Sequence, residues 1–192
     1  SMSRDLAPAT GMDAFTSAFE SYWSLDAQPL TDAIALQVIR LYARNLEASC
    51  RDAERAARIE CSLAATLSGI GYTNSQPNIC HAFSRPLTLL WGVAHGQAVG
   101  VTLPAFLAWN SEAITQKLPA LWDALEVRGP EEARERLENM MANCGMATRL
   151  GQLGVAKGDL DLILEHIIWQ QAGKAPRSIA WEEAGSLLET LL

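Results

Sequence analysis

The chain holds only three histidines, and two of them stand where the apolar patterning breaks. His81 follows a stretch rich in glycine and asparagine from Gly69 to Asn78, and His95 follows Trp91-Gly92-Val93-Ala94. Each is placed to open a helical run, where a side chain can converge on a pocket. Well upstream, Gly11-Met-Asp-Ala-Phe-Thr-Ser-Ala-Phe-Glu20 carries a carboxylate at Asp13. Asp13, His81 and His95 make a set of two imidazoles and one carboxylate, which suits a divalent metal such as Fe²⁺ or Zn²⁺. Such a set leaves coordination positions open, where an ion polarises a bound oxygen as a Lewis acid.

The elements that must position these groups read as helices. Asp13 to Ser24 predicts a helix with Phe15, Phe19, Tyr22 and Trp23 near one face. Asp13 and Ser17, four residues apart, share a face of it, and His81 and Arg85 repeat that spacing on a second helix. Thr31 or Asp32 is a candidate cap for a helix striped by Ile34, Val38, Leu41 and Tyr42. Asp52 to Ser68 runs from charged to small and apolar, so it reads as a helix entering the core. Gly69, Gly71, Asn74, Pro77 and Asn78 then predict a loop that delivers His81. Gly96 to Trp109 predicts a buried helix, kinked or broken in two near Pro104. An amphipathic helix from Glu131 to Leu150, a short one from Asp159 to Trp169 and a last one from Ala180 to Leu192 complete the chain. No alternating strand pattern, repeat or linker interrupts it. The expected fold is all-α, one multi-helix domain over residues 1–192.

Composition agrees with a packed domain. The 192 residues are 49% hydrophobic and 19% charged, enough to bury a core. A net charge of −7 with a pI near 5.0 and no basic cluster excludes a nucleic-acid footprint. Charged or amide residues interrupt every apolar run, so no membrane span is expected. The absence of a charged n-region with an apolar h-region leads us to expect a cytoplasmic protein. Cys50, Cys61, Cys80 and Cys144 show no Cys-x-x-Cys spacing and read as buried thiols. Cys80 adjoins His81, but consecutive residues ligate one ion awkwardly, so it reads as a bystander.

The two segments resemble the metal-site motifs of the iron-dependent (group III) alcohol dehydrogenases. That family carries Gly-Met-Asp-Ala-Leu-Thr-His-Ala-Ile-Glu, then His-x-x-x-His-Pro-Leu followed by Pro-His-Gly. Asp13 matches its first ligand, His81 its third and His95 its fourth. The second ligand position is Ser17 here, and an additional active-site histidine of the family is Arg85. The resemblance runs from about Thr10 to the C-terminus. It implies the helical, dehydroquinate synthase-like C-terminal half of such an enzyme. The family's N-terminal dinucleotide-binding domain is expected to be absent, since no strand–Gly-x-Gly-x-x-Gly–helix unit occurs.

What the resemblance implies chemically is an alcohol or aldehyde oxidoreductase acting on a small molecule. In the family the metal polarises the carbonyl or alkoxide while hydride moves to or from a nicotinamide. NAD(P) would be used only if an α/β domain completes the site. Arg85 near a dication is repelled unless an anion lies between them, so an anionic substrate fits. The Glu20–Ser24 run and the His81–Thr88 run look most like the phosphonoacetaldehyde reductase branch. A competing expectation is a non-catalytic, stand-alone helical module for binding or dimerisation.

Each residue also has a plainer reading. Asp13 can cap its helix, His81 and His95 can be structural imidazoles, and Arg85 can be a solvated helix residue. His166 has no motif around it, and the six tryptophans fit packing. Loss of an α/β partner is expected to bare Phe15, Phe83, Leu87 and Trp91, which would favour a homodimer or a partner α/β domain.

Overall fold

The computed structural model describes Ser3 and residues 6–192, and no strand occurs among them. Among the described residues eleven α-helices follow one another: α1 (Ala7–Trp23), α2 (Pro29–Arg51), α3 (Arg55–Ser75), α4 (Ile79–Trp91), α5 (His95–Gly100), α6 (Leu103–Ser111), α7 (Leu118–Leu125), α8 (Pro130–Asn143), α9 (Leu160–Glu165), α10 (Trp169–Ala172) and α11 (Trp181–Glu189). No helix among the described residues is long and apolar enough to cross a membrane.

Helix α1 is the axis of the packing, touching α2, α3, α4 and α5. Every residue from Phe15 to Ser24 is buried, as expected of a helix surrounded on all sides. Phe15, Phe19 and Trp23 stack along it at ring separations of 5.1 and 6.1 Å. Its buried polar groups are tied to neighbours. Ser24 Oγ donates to the Ser75 carbonyl at 2.9 Å, and the Trp23 indole donates to Asn78 Oδ1 at 2.8 Å. The Asn78 amide in turn donates to the Glu20 carbonyl at 3.0 Å and its oxygen accepts from the Ile79 N–H. Asn78 therefore caps α4 while fastening it to α1.

Several boundaries differ from the sequence reading, each for a local reason. Helix α1 begins at Ala7, so Asp13 sits in its interior and does not cap it. Helix α2 begins at Pro29, with Pro in its favoured first position and Thr31 Oγ1 accepting the Gln28 N–H at 2.8 Å. Thr31 and Asp32 therefore lie inside the helix. The stretch from Gly69 to Ser75 is helical and belongs to α3, which leaves only Gln76 to Asn78 as the connection. There Thr73, Asn74 and Ser75 return their side chains to the carbonyls of Gly69, Ile70 and Gly71, at 2.7, 2.9 and 3.0 Å. These bonds fall within the helix, so the turn-forming residues did not form a turn. Helix α8 stops at Asn143, where left-handed Gly145 (φ 74°) and the Met146 N–H to Met141 carbonyl bond close its last turn; beyond it the Ala147 backbone pairs with the Gln97 amide at 2.8 and 2.9 Å. The segment from Asp159 to Trp169 is not one helix: α9 covers Leu160–Glu165, and Trp169 already opens α10. The break expected near Pro104 is present, with Pro104 in the first turn of α6.

The surface expected to be bare is not. Phe15, Phe83 and Leu87 are in the core and Trp91 packs against it. Their burial within the helical bundle itself removes the physical ground given for self-association through them. All four cysteines are buried and unpaired, as their spacing suggested.

One close approach governs the site's geometry. A Cβ on Gly96 would lie 1.7 Å from the Ala9 carbonyl oxygen, so the first turns of α5 and α1 meet backbone to backbone. Only glycine permits this. Gly96→Ala is expected to destabilise the fold by about 3 kcal/mol or more, against about 0.5 kcal/mol or less for Gly158→Ala, whose Cβ position is open. Urea unfolding of both variants measures this; equal, small effects would show that α5 lifts off α1 freely.

Candidate metal centre

Three helices bring Asp13, His81 and His95 together. Asp13 projects from the second turn of α1, His81 from the first turn of α4 and His95 from the first residue of α5. Gly92 adopts a left-handed φ of 66° and ends α4, which lets the chain reverse and start α5 over Asp13. His81 Nε2 lies 3.2 Å from Asp13 Oδ1, and His95 Nε2 lies 3.7 Å from the same oxygen. One ligand atom from each residue falls within 4.8 Å of the others. Ligands about 2.0–2.2 Å from a tetrahedral ion stand about 3.3–3.6 Å apart. The separations found here suit one ion between the three atoms, and the donor types suit Fe²⁺ or Zn²⁺.

The cleft they line has a volume of about 280 Å³ and includes Ser17, Ser68 and Tyr72. Burial is graded across it. The His81 side chain is 9% exposed, Asp13 37% and His95 50%. His81 thus forms the floor and His95 the rim. The imidazole rings are 5.3 Å apart, and the Tyr72 ring stands 6.5 Å from that of His81.

Beneath His81 lies a residue to which the sequence reading gave no role. Glu20 is fully buried and is the only buried charged residue among those described. Its Oε1 accepts the Cys80 and His81 backbone N–H groups at 2.5 and 3.2 Å. Its Oε2 faces the Asn78 N–H at 3.0 Å and His81 Nδ1 at 2.5 Å. Asp13, Ser17 and Glu20 follow an i, i+4, i+7 spacing on α1, so one stripe carries all three. An acidic residue in an otherwise apolar run, seven residues past a candidate ligand, was the available signal.

Burial by itself pushes the His81 imidazole down. The charge of Glu20 and the hydrogen bonds to Asp13 and Glu20 outweigh it and hold the group up at about 9. The Cys80 thiol is pushed well up, first by burial and then by Glu20, and it is not among the converging donors.

Arg85 is placed differently from the triad. It is exposed one turn beyond His81 on α4, has no hydrogen bond or ion pair among the described residues, and does not line the cleft. His166 is exposed, with Nδ1 2.9 Å from the Leu162 carbonyl, and it is not among the converging donors.

A model of the Fe-containing alcohol dehydrogenase family, C-terminal, matches residues 7–192. A 1,3-propanediol dehydrogenase from Citrobacter freundii is 35% identical over 169 residues, covering 83% of this chain and 44% of that protein. A sulfoacetaldehyde reductase from Bilophila wadsworthia is 28% identical over 195 residues, covering 94% of this chain and 50% of that protein. The crystal structure of sulfoacetaldehyde reductase from Bifidobacterium kashiwanohense in complex with NAD⁺ superposes with a TM-score of 0.93 at 23% identity, over 100% of this chain and 51% of that one. At that identity the likeness establishes the fold. The chain spans about half the length of the curated relatives it matches. With its helical fold and the match across nearly its whole length, the chain belongs to the iron-containing alcohol dehydrogenase family and carries that family's C-terminal region.

Proposed function

We propose that this chain is the metal-binding part of an NAD(P)-dependent alcohol or aldehyde oxidoreductase, with Asp13, His81 and His95 as the protein ligands of Fe²⁺ or Zn²⁺. The observation that carries this reading is the convergence of one carboxylate and two imidazoles, from three helices, on one open polar cleft. When bound there, the ion supplies Lewis acidity toward an alcohol or aldehyde oxygen. The chain's own residues hold and orient. Asp13 contributes charge, His81 a buried and fixed imidazole, and His95 an imidazole at the mouth where substrate enters. Ser17 lines the cleft a turn from Asp13, and its hydroxyl is a poorer donor to a metal than a neutral imidazole.

The nicotinamide must come from a dinucleotide-binding region, which the relatives' greater length accommodates and which the motif content of this chain does not supply. Support for an anionic aldehyde comes from two sides. One relative is a sulfoacetaldehyde reductase. Arg85, exposed and without an ion-pair partner among the described residues, stands one turn from His81. From there its guanidinium is available to a sulfonate or phosphonate tail.

Metal binding can be measured on the chain alone. The ligating nitrogen must be deprotonated, and His81 holds its proton up to about pH 9. Below that value an incoming ion must displace the proton. Isothermal titration with Zn²⁺ should therefore show affinity rising about tenfold per pH unit up to that value and levelling above it. An ordinary histidine would level near 6.5. Ser17→His should tighten binding by at least about 10-fold, no less than an outer partner of a ligand contributes. A flat pH profile together with unchanged affinity in Ser17→His would refute the three-ligand site.

Activity tests the rest. Joined to a dinucleotide-binding region and loaded with metal, the protein should reduce aldehydes with NAD(P)H, and His95→Ala should remove that turnover. Arg85→Ala should raise KM for an anionic two-carbon aldehyde about tenfold, the loss of one charge-assisted contact, and leave KM for butanal unchanged. Equal effects on both aldehydes would remove Arg85 from substrate binding. No nicotinamide-dependent turnover with metal bound would favour a non-catalytic helical binding module.

A further inference from the structure

The hydrogen-bond set around Glu20 has a chemical property beyond its count. Besides the Cys80 thiol, four N–H donors face the carboxylate: the backbone of Asn78, Cys80 and His81, and the His81 ring at Nδ1. They divide evenly, two to each oxygen. An ionised carboxylate accepts at both oxygens and donates at neither, so it alone satisfies this cradle. A glutamine of the same length would turn an NH₂ group against two N–H donors whichever way its amide lay. With Glu20 fully buried, no water can take over the lost contacts.

The ring contact then decides which nitrogen of His81 serves the cleft. Nδ1 keeps its proton and gives it to Oε2, so Nε2 is the nitrogen left facing Asp13 and His95. The three backbone donors belong to the turn that starts α4, so the same carboxylate sets where His81 stands and how its ring is turned. We propose that Glu20 is the positioning residue of the metal site, orienting His81 for ligation through Nε2 before any ion arrives. This rests on the reading of Asp13, His81 and His95 as ligands. A carboxylate partner of this kind also makes the opposite nitrogen a better donor, and losing one typically costs about 10–100-fold in metal affinity.

A purely structural role would be helix capping alone, and Asn78 provides the control. Its side chain caps α4 and binds Trp23 and the Glu20 carbonyl without touching the His81 ring. Zinc affinity and thermal midpoint would be measured on the wild-type chain, Glu20→Gln and Asn78→Ala. Glu20→Gln should lose about 10–100-fold in zinc affinity. Asn78→Ala should lower the midpoint yet hold affinity within about threefold, the ordinary spread for a site away from the ligands. Equal loss of affinity in both variants, or none in Glu20→Gln, would overturn the positioning role while leaving the metal site intact. Absence of zinc binding by the wild-type chain would instead overturn the ligand reading itself.

If Glu20→Gln does not fold, ¹⁵N spectra of the wild-type His81 ring decide the matter. The zinc-loaded protein should show coordination at Nε2 with a protonated Nδ1. Coordination at Nδ1 would overturn the proposal.

Discussion

A carboxylate taken out of water is costly by several kcal/mol unless its lone pairs are met by donors, and the described chain accepts this once, at Glu20. The donors come from the opening turn of α4 and from the His81 ring, so they exist only when α1 and α4 are already docked. That makes the arrangement mutually dependent. Without Glu20 the start of α4 has unmet N–H groups, and without α4 the carboxylate is buried unpaired. The negative charge at a helix N-terminus is also favoured by the helix dipole. A single interaction thus links core packing to the orientation of the deepest member of the site.

The second constraint is steric. Gly96 lets α5 rest on the backbone of α1, which carries His95 to the rim of the cleft beside His81. Gly100 continues the contact, since a Cβ there would meet Met12 Cγ at 2.5 Å. Two glycines four residues apart therefore align α5 along α1. The alignment fixes the rim of the cleft in the way that Glu20 fixes its floor.

Much of this was legible in the residues. Asp13, His81 and His95 were marked by type and by surrounding motif, and the structure brings their donor atoms together. Helical periodicity identified the fold class because apolar residues recur at helical spacing throughout. What escaped was non-local or competitive. Glu20 received no role of its own, since its donors lie about sixty residues away in sequence. Gly69 to Ser75 carried turn residues, yet side-chain bonds to preceding carbonyls kept them helical. Arg85 shares a spacing with His81, but one turn farther along α4 the position is exposed and outside the cleft lining. The exposure assigned to Phe15, Phe83 and Leu87 assumed a missing neighbour, whereas the helices of this chain cover them.

The backbone contact at Gly96 also bears on how such a site can change over time. Its floor and rim are each held by a group with no workable substitute: an acceptor-only carboxylate at position 20 and a side chain of no size at position 96. Neither position can drift in small steps, because the first intermediate already loses the geometry. Other positions near the ligands carry no such demand, such as Arg85, exposed on α4, and Ser17 on the wall of the cleft. These are the two positions at which the family's motif has a histidine and this chain does not. The architecture is rigid where the ligands are aimed and permissive beside them.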